Sequence, residues 1–384
     1  MQVTLPTRMR TAAAIPAACL LFLAAHGAAP SEALPEPSSL PRRPFEELRL
    51  ELGGETLVSR DVLIGDVTAS ARWRETDWDL ELLATRADIG LDYQNAAFVD
   101  PLGFATDLSA ARHALQMTLR SRPSRSWTVH ASGGGYLGYT DYRSLWLNEY
   151  YRQRFEPLVG YETAHPAGWN GSTGARWEVR PAQVFLQCDL VYQLDRVAPA
   201  YEKLPFKPLI RRQDELDTYG IRLAGEAILS RTLRGMLEAQ MLWTTEREAR
   251  TSVRASVNWA ATEFWVVHFT AGATVERPEY LSGSAEVLAE RHWNSGWFAG
   301  LGVRYYKDNG QLNQSLPEST ASPGLTTLQS TVVVRWQGES WGFKASVGPY
   351  LNAYEEVDSP LNPFIHLYRD RSWVAAQLSV SRTF

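Results

Sequence analysis

From about residue 66 onward the chain alternates apolar and polar positions with a period of two. This is the pattern of strands with two unlike faces. Residues 182–194 place Val184, Leu186, Cys188, Leu190 and Tyr192 on one face and Gln187, Asp189 and Gln193 on the other. Residues 231–244 set Leu233, Leu237, Ala239, Met241 and Trp243 against Arg234, Glu238, Gln240 and Thr244. Residues 263–276 set Trp265, Val267, Phe269, Ala271 and Val275 against His268, Thr270, Thr274 and Glu276. The same period runs through 66–74, 77–86, 111–121, 125–136, 168–180, 215–229, 250–260, 283–293, 296–306, 325–336, 340–353 and 372–384, which makes fifteen predicted strands. A sixteenth falls between Phe45 and Ile64, where Leu48, Leu50 and Leu52 keep one phase and Leu57 and Val58 fit none cleanly. Antiparallel closure with both termini on one side needs an even number. The expected fold is therefore all-β, an antiparallel up-and-down barrel of sixteen strands, with fourteen or eighteen as alternatives.

The connections alternate in length. On one side they are short: 74–77, 122–124, 260–262, 294–295 and 337–339. On the other they are mostly long: 87–110, 137–167, 195–214, 307–324 and 354–371. A membrane barrel has short periplasmic turns and longer outer loops, whereas a soluble sandwich has no reason to sort loops by parity. Tryptophans follow the short turns. Trp73 and Trp78, Trp259 and Trp265, Trp293 and Trp297, and Trp336 and Trp341 flank four of them, and Trp127 and Trp177 lie beside others. All ten occupy the apolar phase, as a girdle at a membrane interface requires, with the ring against acyl chains and the N–H among headgroups.

Composition sharpens this reading. The 14 Trp, 16 Tyr and 13 Phe accompany a formal charge of only −5 and a mean hydropathy of −0.27. Past residue 30 no run approaches the ~20 apolar residues of a spanning helix. Residues 1–29 read as an export signal cleaved somewhere in 27–33, with Arg8 and Arg10 ahead of an apolar stretch from Thr11 to Ala25. Residues 30–45 form a proline-rich lead-in and 46–384 the barrel. Cleavage takes the formal charge to about −7, which gives no reason to invoke nucleic acid, and leaves Cys188 without a disulfide partner.

The last segment, from Val374 to Phe384, resembles the C-terminal assembly signal of Gram-negative outer-membrane barrels. A terminal aromatic is preceded by apolar residues at every second position, here Val380, Leu378, Ala376 and Val374. Arg382 departs from that pattern. The resemblance implies outer-membrane lipid and the barrel insertion machinery as partners, and the layout is similar to that of the general porins.

The polar phase is heavily charged. Arg72, Arg120, Arg176, Arg180, Arg222, Arg234, Arg254, Arg304, Arg335 and Lys344 share it with Asp79, Glu81, Glu178, Asp189, Glu226, Glu238, Glu276, Glu286 and Glu290. Ten cations against nine anions suit either a wet pore of weak ion selectivity or a salt-bridged filled lumen. Sixteen strands enclose more volume than wall side chains fill, which favours the pore. The connection 137–167 takes the place of the inward-folded loop of general porins, though their Pro-Glu-Phe-Gly-Gly stretch is absent. Its Arg143, Glu149, Arg152 and Arg154, among aromatics, would form a constriction, with 143–155 as a short amphipathic helix.

His130 and Ser132 share one strand face two residues apart, the spacing seen in outer-membrane phospholipases, and Asn170 is a conceivable third member. The surrounding residues depart from that pattern and the pair sits in the polar phase, so catalysis is not expected. No metal-ligand spacing and no cofactor motif is found. The expected function is passive diffusion of small polar solutes, with a homo-oligomer left open. The alternatives are a non-conducting barrel for envelope assembly, polysaccharide export or adhesion, and then a lipid-modifying enzyme.

Overall fold

In the computed structural model the alternating segments pair into one sheet. Its strands are β1 (Glu47–Val58), β2 (Val62–Arg74), β3 (Trp78–Asp92), β4 (Asp107–Ser124), β5 (Trp127–Leu137), β6 (Ala167–Arg180), β7 (Val184–Val197) and β8 (Asp214–Ile228). They continue as β9 (Leu233–Thr244), β10 (Arg250–Ala260), β11 (Trp265–Glu276), β12 (Tyr280–His292), β13 (Trp297–Asp308), β14 (Leu325–Gln337), β15 (Trp341–Tyr354) and β16 (Arg371–Thr383). Each strand is antiparallel to its neighbours in sequence, and β1 pairs with β16 to close the barrel. The expected count of sixteen is therefore met, and closure leaves no edge to pair with another chain.

The structure describes residues 47–58, 62–92, 107–139, 145, 166–197, 214–245, 248–276, 280–310, 324–355 and 371–383. All of these belong to the compact unit Phe45–Phe384. The expected signal segment, the lead-in and Phe384 lie outside them.

Register fixes the two faces. Leu237, Ala255, Ala271 and Ala285 are successive partners across β9 to β12, so one residue class runs around the wall at each level. Leu301, at 67%, and Val67, at 62%, are among the most exposed large apolar side chains, and both point outward. In a soluble protein such residues would form the core. Here the apolar surface is turned out.

Register also settles β1. Leu50, Leu52 and Val58 are exposed and share the outer phase with Gly54 and Thr56, while Leu57 alone among the apolar residues of 50–58 takes the inner phase. The pair Gly53-Gly54 is what obscures the alternation there.

Three strand ends extend beyond the alternating segments. Strand β2 begins at Val62, β3 continues to Asp92, and β4 begins at Asp107, so the connection expected over 87–110 shortens to 93–106. Ile64, Ile89, Leu91, Leu108 and Ala110 occupy the inner phase in these extensions. With apolar residues on both faces the period-two signal vanishes, yet the ladder continues because the inner face is covered.

Candidate functional site

The outer surface carries an apolar belt with aromatics at both margins. At the end bearing the termini, Trp127, Trp177, Trp259, Trp265, Trp293, Trp297 and Trp341 are exposed on the outer face, and Trp127 and Trp177 stack with ring centroids 5.8 Å apart. Trp73, Trp78 and Trp336 hold the same phase at the same end. The far margin is a second row, set away from the short turns that mark the first. Trp169 lies on Tyr192 at 4.7 Å, and Tyr219 stacks on Trp243 at 5.7 Å. Leu233, opposite Trp259, and Trp243 are ten residues apart on β9. At ~3.3 Å per residue and a tilt near 40° the rows are separated by about 25 Å, the height of the apolar band of a membrane barrel. Arg382, the departure in the terminal strand, places its guanidinium over the Trp341 ring at 5.0 Å. A cation over an interfacial indole is compatible with that border.

The inner wall is laced with ion pairs. Asp79 accepts from Arg120 at 2.9 Å and from Arg72 at 3.4 Å, and Arg120 also reaches Glu81 at 3.1 Å. Glu226 holds Arg234 at 2.9 Å and Arg176 at 3.3 Å, while Glu238 holds Arg222 at 2.8 Å. Arg250, absent from the charges singled out in the sequence, pairs with Glu276 at 2.6 Å.

Two pairs span three strands. Arg176 on β6 lies over the ring of Phe185 on β7, 4.2 Å from its centroid, and reaches Glu226 on β8. Arg335 on β14 lies over Phe298 on β13 at 4.3 Å and approaches Glu290 on β12 at 3.7 Å. A guanidinium stacked on an aromatic face keeps its fork free for the carboxylate beyond. Both phenylalanines sit in the nominally polar phase, which hid this role in the sequence.

Exposure separates the signs in most of these pairs, with Arg120 and Glu81 equally open. The side chains of Arg72, Arg120, Arg176, Arg222, Arg234 and Arg335 keep 36–56% of their surface, whereas those of Asp79, Glu226, Glu238 and Glu290 keep 8–19%. The carboxylates lie at the base of the wall and the guanidinium groups face the solvent above them. Arg254, Arg304 and Lys344 are also exposed in the inner phase, opposite Glu238, Glu286 and Arg335 in register. Glu178 accepts a hydrogen bond from the backbone N–H of Ala182 in the adjoining turn.

At the mouth away from the termini the inner wall is dry over one arc. Ile89, Tyr139 and Leu145 are buried together and packed by Ile64, Leu108 and Ala110. Leu145 belongs to the 137–167 connection and is helical. Gly138 turns the chain into this cluster. Its φ is +103°, and a Cβ there would lie 2.2 Å from the carbonyl oxygen of Ala111, so only glycine fits. Arg143, Glu149, Arg152 and Arg154 lie outside the described residues, as does the rest of the expected helix over 143–155.

His130 and Ser132 do share the inner face, but their bonds run elsewhere. His130 Nε2 meets Asp189 Oδ1 at 2.9 Å, and the Ser132 and Ser172 hydroxyls are 2.7 Å apart. Asn170 sits opposite Gly134 and Gln193. Among the described residues no cluster of His, Cys, Asp or Glu is placed to hold a metal ion, and no helix is long and apolar enough to cross a membrane.

No protein-family model and no curated protein sequence matches the chain. Solved structures do. CdiB from Acinetobacter baumannii superimposes with a TM-score of 0.58 at 11% identity, over 88% of this chain and 60% of that one. The chain thus spans three fifths of CdiB. A bacterial polysaccharide outer membrane secretin aligns with a TM-score of 0.49 at 9% identity, over 88% of this chain and 98% of that one. The toluene transporter TodX of Pseudomonas putida aligns with a TM-score of 0.42 at 11% identity, over 88% and 89%. At such identities the likeness concerns the fold. The chain is a closed sixteen-strand antiparallel barrel of the kind found in bacterial outer membranes.

Proposed function

We propose that the chain is a porin-like outer-membrane channel through which small polar solutes diffuse passively. One observation carries this reading: the inner-wall arginines keep 36–56% of their side-chain surface exposed. A lumen filled by wall side chains would bury them. Water-facing charges on a continuous ring of strands describe a wet interior, and a transverse field of that kind orients polar solutes. Residues 1–29 would direct export and be removed within 27–33, and 30–45 would lie in the periplasm with the terminal end of the barrel. Lipid would meet the outer belt, and the insertion machinery would read the strand that ends at Val380 and Phe384.

The segment 137–167 would narrow the channel. Leu145 and Tyr139 already pack on the inner face at the far mouth. From there Arg143, Glu149, Arg152 and Arg154 would line the path with Arg120, Arg176 and Arg222 below. The same dry cluster favours the second reading, a non-conducting barrel for envelope assembly, polysaccharide export or adhesion, if the segment closes the mouth.

Single-channel recording of the refolded protein in planar bilayers separates the two. Discrete conductance is expected, and replacing 141–160 with a short Gly-Ser linker should raise it. If neither protein conducts while both barrels are folded, the channel reading fails.

A further inference from the structure

By count the inner wall is nearly neutral, but its charge is not evenly placed. The arc formed by β2 to β7 encloses a cavity of about 520 Å³ at the terminal end. Arg72, Arg120, Arg122, Arg125 and Arg176 line it. Glu81 and Glu226 hold Arg120 and Arg176 from beside the cavity, and two carboxylates, Asp79 and Glu178, line it. Both are engaged: Asp79 is buried under Arg72 and Arg120, and Glu178 accepts from the Ala182 backbone.

The remaining polar lining includes Thr118 and Thr128 beside His130, Ser132 and Gln187, of which His130 and Gln187 bond Asp189 and Ser132 bonds Ser172. Among the described residues Arg122, exposed near the end of β4, and Arg125, exposed in the turn that follows, form no ion pair. The buried Nε of Arg72 has no hydrogen-bond partner either. Phe185 holds the Arg176 guanidinium flat against the wall at 4.2 Å.

We infer that this cavity is a binding site for a small multiply charged oxyanion of the phosphate type, entering as a free solute. With Arg72, Arg120 and Arg176 held by Asp79, Glu81 and Glu226, the forks of Arg122 and Arg125 supply the uncompensated positive charge that such a ligand needs, and the solvent-facing sides of the paired guanidinium groups supply further donors. A neutral sugar would leave the charge of Arg122 and Arg125 unmatched. A divalent cation would be repelled.

Binding is measurable in micelles, without any current across a membrane, so its failure and a failure of conduction are separate results. The full-length protein, refolded in a zwitterionic detergent at low ionic strength, is titrated calorimetrically with inorganic phosphate, with glucose and with sodium chloride. Saturable phosphate binding is expected, with no heat from glucose and competition from high chloride. Arg122→Gln combined with Arg125→Gln should weaken phosphate binding by roughly tenfold or more, because two charge-assisted donor groups are lost. Arg122→Lys with Arg125→Lys keeps the charge but not the fork, so its affinity should fall between the two.

Arg231→Gln with Arg86→Gln removes the same charge from a turn and from the outer face, and should leave the affinity unchanged. Heat-modifiable migration verifies that each barrel is folded, and the lysine pair still reads the site if the glutamine pair does not refold. Absence of phosphate binding in the wild type overturns the inference. So does an unchanged affinity in the glutamine pair, or an equal loss in the control pair.

Discussion

Placing an arginine on either side of one strand tests the inside–outside assignment directly. Phe269 and Thr270 are adjacent on β11, which runs from the interfacial Trp265 to Glu276. Phe269 lies in the outer phase between Val257 and Val287, and it is 43% exposed. It stands four residues from Trp265. At ~3.3 Å per residue and ~40° of tilt this is about 10 Å above the girdle, close to the middle of a ~25 Å apolar band. An arginine at that depth costs about 2–4 kcal/mol, a factor of roughly 30 to 700 in the folding equilibrium. Thr270 faces inward, with Glu286 and Ser256 as register partners. A guanidinium there meets water and a carboxylate, so Thr270→Arg should change stability by no more than ~0.5 kcal/mol. Urea titration of both variants in lipid vesicles, followed by tryptophan fluorescence, gives the two differences. Equal losses, or a larger loss for Thr270→Arg, would refute the assignment of faces for this strand.

Three further outcomes are expected. Asp79→Asn removes the carboxylate that neutralises Arg72 and Arg120, and because both arginines are partly exposed the loss should be about 1–2 kcal/mol by the same urea titration. Leu145→Asp puts a charge into the dry cluster with Ile89 and Tyr139. It should release the 137–167 segment without unfolding the barrel, seen as new protease cleavage within that segment and raised conductance. Deleting Phe384 should lower outer-membrane yield far more than deleting Phe104, since only the former ends the assembly signal. Equal yields on membrane fractionation would mean that Arg382 has already disabled that signal.

The sequence alone determined the barrel. A strand with lipid on one side and water on the other must alternate, so β5 to β16 and their outward-facing tryptophans were readable residue by residue. The even strand count followed from antiparallel closure. The charged inner phase was legible for the same reason, because residues such as Arg222, Glu226 and Glu238 interrupt apolar neighbours at every second position. Alternation fails wherever both faces are apolar or both are small. Ile64, Ile89, Leu91 and Leu108 look like the end of strands, and only the packing of Tyr139 and Leu145 from a distant segment shows why the ladder continues. Gly53 and Gly54 erase the phase of β1 until Val58 is seen beside Ala376 of β16. Tertiary structure also decided which charges meet. Arg176 passes over Phe185 to reach Glu226 two strands away, and Arg72 reaches Asp79 diagonally although its register partner is Glu81. Long side chains choose partners by reach and burial, neither of which is written in spacing along the chain. A balanced count of ten cations and nine anions therefore concealed a wall in which Asp79, Glu226, Glu238 and Glu290 lie beneath the more exposed arginines that they hold.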